Sequence, residues 1–324
     1  MYYDRTLSNS FSKLLEPNGE LRWLFDLVAN RDDLDFLIGK NSSKEWISVY
    51  RGLSRVLTIL KTKNPNEVRI DGAEAYKNIS NTLYGIKNIS NCFHSEIIDL
   101  IDSIAREPKF DRYYKNKKEG YYQNLLSRRF GINGQPDDEF VILDKESVIG
   151  YENLDERKEM TRDLSGKYKE LLRELSEKNS KRYGRDLGKK SIGNELDFIA
   201  LDKHGNLLLI EYKHATNTSG LFLSPFQIGM YFDLFNQFPR EELIKSALAM
   251  LDQKKRIGLV NSKWGTGDVK NIVPMLIVSD YKEKSSAKTK YNEVMDFLRH
   301  KEGVDFLKDI KTYNYTIENG ITSW

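Results

Sequence analysis

The sequence predicts an α/β (α+β) fold in which strands and helices surround one sheet. Two apolar runs, Leu196 to Leu201 and Leu207 to Tyr212, have the length of buried strands, and a short turn separates them. Helical patterns lie on both sides of this pair, and a further apolar run extends from Val273 to Asp280. Strands interleaved with helices in this way pack around a shared sheet.

Residues 1 to about 110 form a first region of mixed pattern. The stretch from Ser12 to Gly39 predicts short helices, and the apolar, β-branched stretches predict strands within Glu45 to Lys61 and over Glu67 to Gly72. Apolar residues at helical spacing after Ser95, ended by Pro108, predict a helix. The polar, basic stretch Lys109 to Lys118 then marks the boundary to a second region.

The second region alternates helices and strands around the central pair. We predict helices over Lys117 to Phe130, Asp155 to Lys178, Pro225 to Phe238, Glu241 to Leu251 and Glu293 to Arg299, a strand over Glu139 to Asp144, and an exposed loop over Lys282 to Asn292. The helix Asp155 to Lys178 is highly charged and has one apolar face, which includes Tyr168 and Leu175.

The composition excludes several classes of protein. The chain has 324 residues, of which 39% are hydrophobic and 31% charged, enough for about two domains with real cores. No apolar run approaches the ~18 residues that span a bilayer, and the N-terminus lacks a signal-peptide pattern. The single cysteine, Cys92, excludes an internal disulfide framework and a multi-cysteine zinc site. We therefore expect a cytoplasmic protein, and the net charge of +3 alone identifies no partner.

The central strands carry charges where a hydrophobic core is expected. Side chains alternate between the faces of a strand, so Glu211 and Lys213 share one face. A three-residue turn, Lys203-His204-Gly205, places Asp197 opposite Glu211, whereas a two-residue turn places it opposite Tyr212. The three-residue turn requires a left-handed residue in third place, and Gly205 stands there. This register brings two carboxylates and a lysine together at one end of the hairpin.

Two physical explanations fit such a cluster. The first is a buried salt bridge between Lys213 and the two acids, since structural ion networks are common. The second is a divalent cation, because two facing carboxylates repel each other and one lysine offsets only part of that repulsion. Magnesium takes hard oxygen ligands from one or two carboxylates. His214 faces away from Lys213 along the strand, which favours a structural role.

A second signal follows on the next helix. Gln227 and Tyr231 are four residues apart and so lie on one helical face. With Asp197 and Glu211-Tyr212-Lys213, the order resembles the PD-(D/E)xK nuclease superfamily, and the QxxxY element makes it most similar to the RecB-type branch. The resemblance covers about Gly193 to Phe235, with Leu196 in place of a proline.

The resemblance implies a restriction-endonuclease-like core, with a central mixed sheet that contains an antiparallel hairpin and is flanked by helices. This core would occupy residues 111–324, behind an N-terminal mixed α/β region, residues 1–110, that selects substrate or binds a partner. The implied activity is that of a metal-dependent deoxyribonuclease, which hydrolyses DNA phosphodiester bonds in defence, repair or mobile-element biology.

The resemblance also implies roles for individual residues. Asp197 and Glu211 would hold Mg²⁺, for which Mn²⁺ can substitute, with the carbonyl of Tyr212 as a further ligand. Lys213 would position and polarise the attacking water, while the metal stabilises charge on the phosphate. Gln227 and Tyr231 would orient the nucleic-acid backbone or the lysine.

The family usually adds an acid from an upstream helix. Glu119 shares a helical face with Tyr122 and Leu126, so its carboxylate points toward a core and is the preferred candidate. Glu195 lies two residues before Asp197, on the same strand face, and is the other candidate.

A basic stretch before the hairpin is a candidate for binding nucleic-acid phosphates. It contains Lys181, Arg182, Arg185, Lys189 and Lys190, although basic loops of this kind are often only solvated. The expected partners are DNA or RNA, with a homodimer as a further possibility and no membrane. An RNA-cleaving nuclease of the same fold, a catalytically inactive nucleic-acid-binding module and an unrelated α/β protein with a buried ion pair remain alternatives.

Overall fold

The computed structural model describes residues 2–76, 78–80, 83–90, 93–107, 114, 116–178, 195–283 and 285–324. The chain divides into two compact units, each formed by segments that are discontinuous in sequence. The N-terminal unit comprises Asp4–Asp144 and Ser246–Gly265, and the hairpin unit comprises Met1–Tyr3, Lys145–Lys245 and Thr266–Trp324. The composition change near residue 110 therefore lies within the first unit.

The N-terminal unit is built on a five-stranded antiparallel sheet in the order β1-β2-β3-β4-β5. Its strands are β1 (Asp35–Lys40), β2 (Glu45–Arg51), β3 (Ser54–Lys61), β4 (Glu67–Gly72) and β5 (Gly85–Asn88). Its helices before residue 144 are α1 (Asn9–Ser12), α2 (Arg22–Ala29), α3 (His94–Arg106) and α4 (Glu119–Ser127), the last continued by a π-helical turn over Arg128–Ile132.

Two features of this unit differ from the sequence-based prediction. The helices predicted for Ser12 to Gly39 end at Ala29, and the apolar run that follows is strand β1, because it is too short for a stable helix and pairs along its length with β2. The helix predicted to reach Phe130 ends as an α-helix at Ser127.

The hairpin unit contains a mixed sheet in the order β11-β10-β9-β8-β7-β6. The strands are β6 (Phe140–Ser147), β7 (Leu196–Asp202), β8 (Asn206–His214), β9 (Asn271–Ser279), β10 (Lys311–Thr316) and β11 (Gly320–Ser323), and β6 begins in the other unit. Strands β7 and β8 form the antiparallel hairpin, and β9 lies parallel to β8. The predicted mixed α/β architecture is confirmed at this level.

The later α-helices are α5 (Leu154–Lys178), α6 (Thr218–Asn236), α7 (Arg240–Ile257) and α8 (Ala287–Arg299). The predicted apolar face of α5 is buried from Tyr168 to Leu175, in one cluster with residues of α6, β9 and α8. These helices therefore form an apolar cluster with β9, the strand that pairs with β8 of the hairpin.

Helix α6 begins seven residues before the predicted start at Pro225. Asn217 caps it by accepting a hydrogen bond from the N–H of Gly220, 3.0 Å away. Proline inside a helix leaves the carbonyl four residues earlier without its usual donor. Here the hydroxyl of Ser224 donates to that carbonyl, on Leu221, at 2.7 Å. This local replacement lets the helix continue through Pro225.

The C-terminal part also differs from the prediction. Helix α8 starts at Ala287, inside the predicted loop, and the strands β10 and β11 follow it although the sequence pattern did not indicate them. In the described part of the chain, no helix is both long enough and apolar enough to cross a membrane.

Candidate active site

The turn of the hairpin adopts the predicted three-residue form. Phe198 pairs with Ile210 and Leu201 with Leu207, a register that continues to Asp197 opposite Glu211. Gly205 has φ = +78°, and a side chain there would bring Cβ to 2.1 Å from a backbone oxygen, that of Asp268. The register predicted from this glycine is confirmed.

The Lys213 ammonium lies at the centre of the candidate site. It donates a short hydrogen bond to Oε1 of Glu211 and a second to the carbonyl oxygen of Tyr212 at 3.0 Å, and it lies 3.7 Å from Oδ2 of Asp197. Glu211 is only 1% exposed and Lys213 only 7% exposed. Three oxygen atoms, from Asp197, Glu211 and Tyr212, therefore converge on one positive charge.

Asp197 is fixed by the backbone of the opposite strand. Its Oδ2 accepts a hydrogen bond from the N–H of Tyr212 at 2.7 Å. Burial raises the pKa of the Asp197 carboxyl above its ordinary value, and the charges of Lys213 and Lys145 oppose this shift. The carboxylate form is therefore costly here unless positive charge lies beside it.

Lys145, near the end of β6, is a site residue that the sequence reasoning missed. It is 2% exposed, and its charge acts on Asp197. The signal was a charged pair, Asp144-Lys145, directly after the apolar run Val141 to Leu143. Lys145 therefore adds a second positive charge that acts on the Asp197 carboxylate.

Tyr231 and Gln227 lie on one face of α6 but differ in their contacts. Tyr231 is 2% exposed, and its hydroxyl donates to the carbonyl oxygen of Glu195 at 2.6 Å. Burial raises the pKa of this phenol strongly, and the charges of Glu211 and Asp197 add to the shift. The Gln227 side chain is half-buried and forms no hydrogen bond with a described residue, so its amide is available to a ligand.

The remaining predicted residues have different positions. Glu119 is the first residue of α4 and belongs to the N-terminal unit, and Glu195 is exposed just before β7. Their roles as a third acid stay predictions. Lys181, Arg182, Arg185, Lys189 and Lys190 lie outside the described residues. His214 is 2% exposed, and its Nδ1 lies 2.8 Å from the hydroxyl of Thr216, as a structural histidine does.

The donor atoms of the site are of the kind that binds a hard divalent cation. Among the residues that the structure describes, no group of three or more His, Cys, Asp or Glu side chains gathers as a metal site. The site instead offers two facing carboxylates and the Tyr212 carbonyl, and Mg²⁺ is commonly bound by one or two carboxylates and water. These oxygens already surround a cation, the Lys213 ammonium, so the set fits Mg²⁺ if that ammonium moves aside.

Comparison of the chain with protein-family models, with curated proteins and with solved structures finds no match.

Proposed function

We propose that the protein is a metal-dependent nuclease that hydrolyses DNA phosphodiester bonds at the end of the β7–β8 hairpin. The observation that carries this proposal is the convergence of Glu211, Asp197 and the Tyr212 carbonyl on the buried Lys213 ammonium at the end of the hairpin. A purely structural sheet gains little from such a cluster, because each buried charge costs several kcal/mol before its partner offsets it.

The order of elements supports a restriction-endonuclease-like core. An antiparallel hairpin with an acid on each strand is followed by helix α6, and the next strand, β9, runs parallel to the second strand of the hairpin. Helix α6 therefore contacts the hairpin: the Tyr231 hydroxyl donates a hydrogen bond to the carbonyl oxygen of Glu195, the residue just before β7. We assign the nuclease core to the hairpin unit and a substrate- or partner-selecting role to the N-terminal unit.

The chain's own groups have distinct tasks in this proposal. Asp197 and Glu211 hold Mg²⁺ or Mn²⁺, which when bound stabilises negative charge on the phosphate and activates water. Lys213, released from Glu211, directs its ammonium at the attacking water and at the phosphate oxygens. Tyr231 holds the backbone before Asp197 and thereby the position of that carboxylate, and Gln227 donates to the nucleic-acid backbone.

The test is cleavage of single- and double-stranded DNA and RNA by the wild-type protein, with Mg²⁺, with Mn²⁺ and with chelator. We expect metal-dependent cleavage of DNA that Asp197→Asn abolishes. Asp268→Asn is the matched control, because it removes a carboxylate of the same unit whose side chain is 92% exposed. Cleavage of RNA alone would transfer the proposal to the ribonuclease alternative, and wild-type protein that cleaves none of the four substrates would overturn it.

A further inference from the structure

Aromatic, basic and apolar side chains lie together at the start of helix α4, in the N-terminal unit. We call this group the aromatic-basic surface, and it consists of Leu53, Tyr114, Lys117, Lys118 and Tyr121. Four of the five members lie in or directly after the basic stretch that begins at Lys109, and the fifth lies in the turn between β2 and β3. None of them belongs to the candidate active site.

The turn between β2 and β3 is packed closely against the start of α4. A Cβ at Gly120 would lie 3.1 Å from the backbone nitrogen of Leu53, and a Cβ at Gly52 would lie 3.2 Å from the carbonyl oxygen of Gly120. Glycine at both positions permits this approach. Leu53 has 53% of its surface exposed, so an apolar side chain stands open beside the first turn of the helix.

Two tyrosine rings of the surface support each other. The rings of Tyr114 and Tyr121 meet edge to face with their centres 5.2 Å apart. Tyr114 is held from behind by the Arg51 guanidinium, 4.3 Å from its ring centre, and by a hydrogen bond from its hydroxyl to the carbonyl oxygen of Asp32. The half-buried Tyr121 forms no hydrogen bond through its hydroxyl with a described residue, and this oxygen is not among the polar atoms closed to solvent.

The surface carries two exposed ammonium groups. Neither Lys117 nor Lys118 forms an ion pair with a described residue, and Nζ of Lys117 lies 5.8 Å from the centre of the Tyr121 ring. Lys117 has φ = +46°, a region that lysine rarely adopts, and its N–H donates to the carbonyl oxygen of Tyr114 at 3.0 Å. The backbone therefore holds this charge beside the rings.

The nearby acids do not cancel these charges. Asp33 lies 2.9 Å from the Arg51 guanidinium and 3.1 Å from that of Arg31, so two cations already balance it. Glu119, which follows Lys118, is half-buried and already engaged by another group. The two lysines consequently leave an excess of positive charge next to an aromatic ring.

The two kinds of group select different parts of one ligand. Ammonium groups attract phosphates, and a tyrosine ring beside an exposed leucine offers a place for a flat base to stack. A single strand of nucleic acid presents both at once, because its bases are free. In a duplex the bases are stacked and paired, so reaching a base face requires extruding it. An acidic peptide matches the charges and lacks the bases.

We propose that the aromatic-basic surface binds single-stranded nucleic acid, with a base stacked on Tyr121 and Leu53 and adjoining phosphates at Lys117 and Lys118. The surface gives the N-terminal unit a substrate to select, and in this respect the inference rests on the proposed nuclease function. Binding itself requires neither metal nor cleavage.

The test is fluorescence anisotropy of the full-length protein in chelator, with a labelled oligothymidine of about 16 nucleotides and a duplex of the same length at several salt concentrations. Tyr121→Leu should weaken binding of the single strand roughly 5- to 150-fold, the range for loss of one stacked base, and leave its salt dependence unchanged. The double variant Lys117→Asn, Lys118→Gln should instead reduce the slope of log affinity against log salt by about 1.4, since each phosphate contact contributes about 0.7. Asparagine is chosen at position 117 because it tolerates positive φ.

Two matched controls separate these effects from general damage. Tyr121→Phe keeps the ring and should bind nearly as the wild type does, and Lys63→Gln removes an exposed, unpaired charge elsewhere in the described N-terminal unit and should keep the full salt slope. Equal losses in Tyr121→Phe and Tyr121→Leu, or an unchanged affinity in Tyr121→Leu, would overturn the proposal. So would an oligoglutamate that binds as tightly as the oligothymidine.

The result for this surface is separable from that for the nuclease. A protein that shows the expected variant pattern but never cleaves with Mg²⁺ or Mn²⁺ supports the surface and contradicts only the nuclease function. A protein that cleaves DNA while Tyr121→Leu and the double lysine variant bind the single strand as the wild type does contradicts only the surface.

Discussion

Replacement of Lys213 by methionine distinguishes a metal site from a structural ion network. The substitution keeps an unbranched side chain but removes the charge that lies 3.7 Å from Asp197 and in hydrogen-bond contact with Glu211. At an effective dielectric constant of about 20, a charge pair at ~4 Å interacts by ~4 kcal/mol. Removing one partner of a buried pair costs about 3–5 kcal/mol, because the other charge remains buried.

In chelator, Lys213→Met should therefore lower the free energy of unfolding by about 3–5 kcal/mol. For a unit of this size each kcal/mol changes the melting temperature by roughly 2–4 °C, so the loss is on the order of 10 °C. Added Mg²⁺ should restore much of this loss, because the cation replaces the missing positive charge between two carboxylates. The thermal shift caused by Mg²⁺ should consequently be larger in the variant than in the wild type, while cleavage is abolished.

The matched control is Lys167→Met. Lys167 pairs with Asp233 at 2.7 Å in the same unit and is also partly buried, but Asp233 is not one of the two carboxylates of the candidate site. Its loss of stability should not respond to Mg²⁺. A Lys213→Met protein whose thermal shift with Mg²⁺ is no larger than that of the wild type would refute the reasoning and favour a structural ion network.

Three further predictions follow from the described contacts. Gly205→Val should lower the free energy of unfolding by about 1–3 kcal/mol from backbone strain alone. The contact of the new Cβ with the Asp268 oxygen at 2.1 Å adds to this loss, and a urea unfolding curve that matches the wild type would contradict the prediction. Gln227→Ala should reduce cleavage about tenfold or more through misalignment and leave the Mg²⁺ thermal shift unchanged, and a wild-type rate would show that the residue is not a substrate contact. Burial lowers the pKa of Lys254 from 10.5 to about 8. Between pH 8 and pH 10.5 the unfolded chain therefore binds more protons at this lysine than the folded chain does. The free energy of unfolding is lowered by the full amount below pH 8, and it rises by up to about 3 kcal/mol as the pH increases to 10.5. Lys254→Met should lack this rise in urea unfolding, and an equal rise in both proteins would assign it to other groups.

The sequence predicted the part of the fold that local chemistry determines. Gly205 specified the turn, and the turn specified the register that brings Asp197 opposite Glu211. The start of α6 was not predicted, because proline usually breaks a helix. Here the hydroxyl of Ser224 replaces the missing donor, and it does so only in the folded helix. Propensity rules for proline do not include this hydrogen bond from a neighbouring side chain.

The candidate site was predictable in part for a similar reason. Lys213 lies next to Glu211 on one strand face, so alternation alone indicated that contact. Lys145 is far from both in sequence, and its charge reaches Asp197 only because β6 takes its place beside β7 in the sheet. The strands β10 and β11 were missed because their pattern of half-buried, polar residues lacks the apolar run that marks a central strand.

The central claim is that Asp197 and Glu211 hold a divalent cation and that Lys213 leaves Glu211 when they do. The most direct measurement is a crystal structure of the protein with Mn²⁺, in which the anomalous signal locates the metal. We expect one peak in contact with an oxygen of each carboxylate, with the Lys213 ammonium no longer bonded to Glu211. A structure at saturating Mn²⁺ with no peak at these carboxylates, and with the Lys213–Glu211 contact intact, would contradict the account.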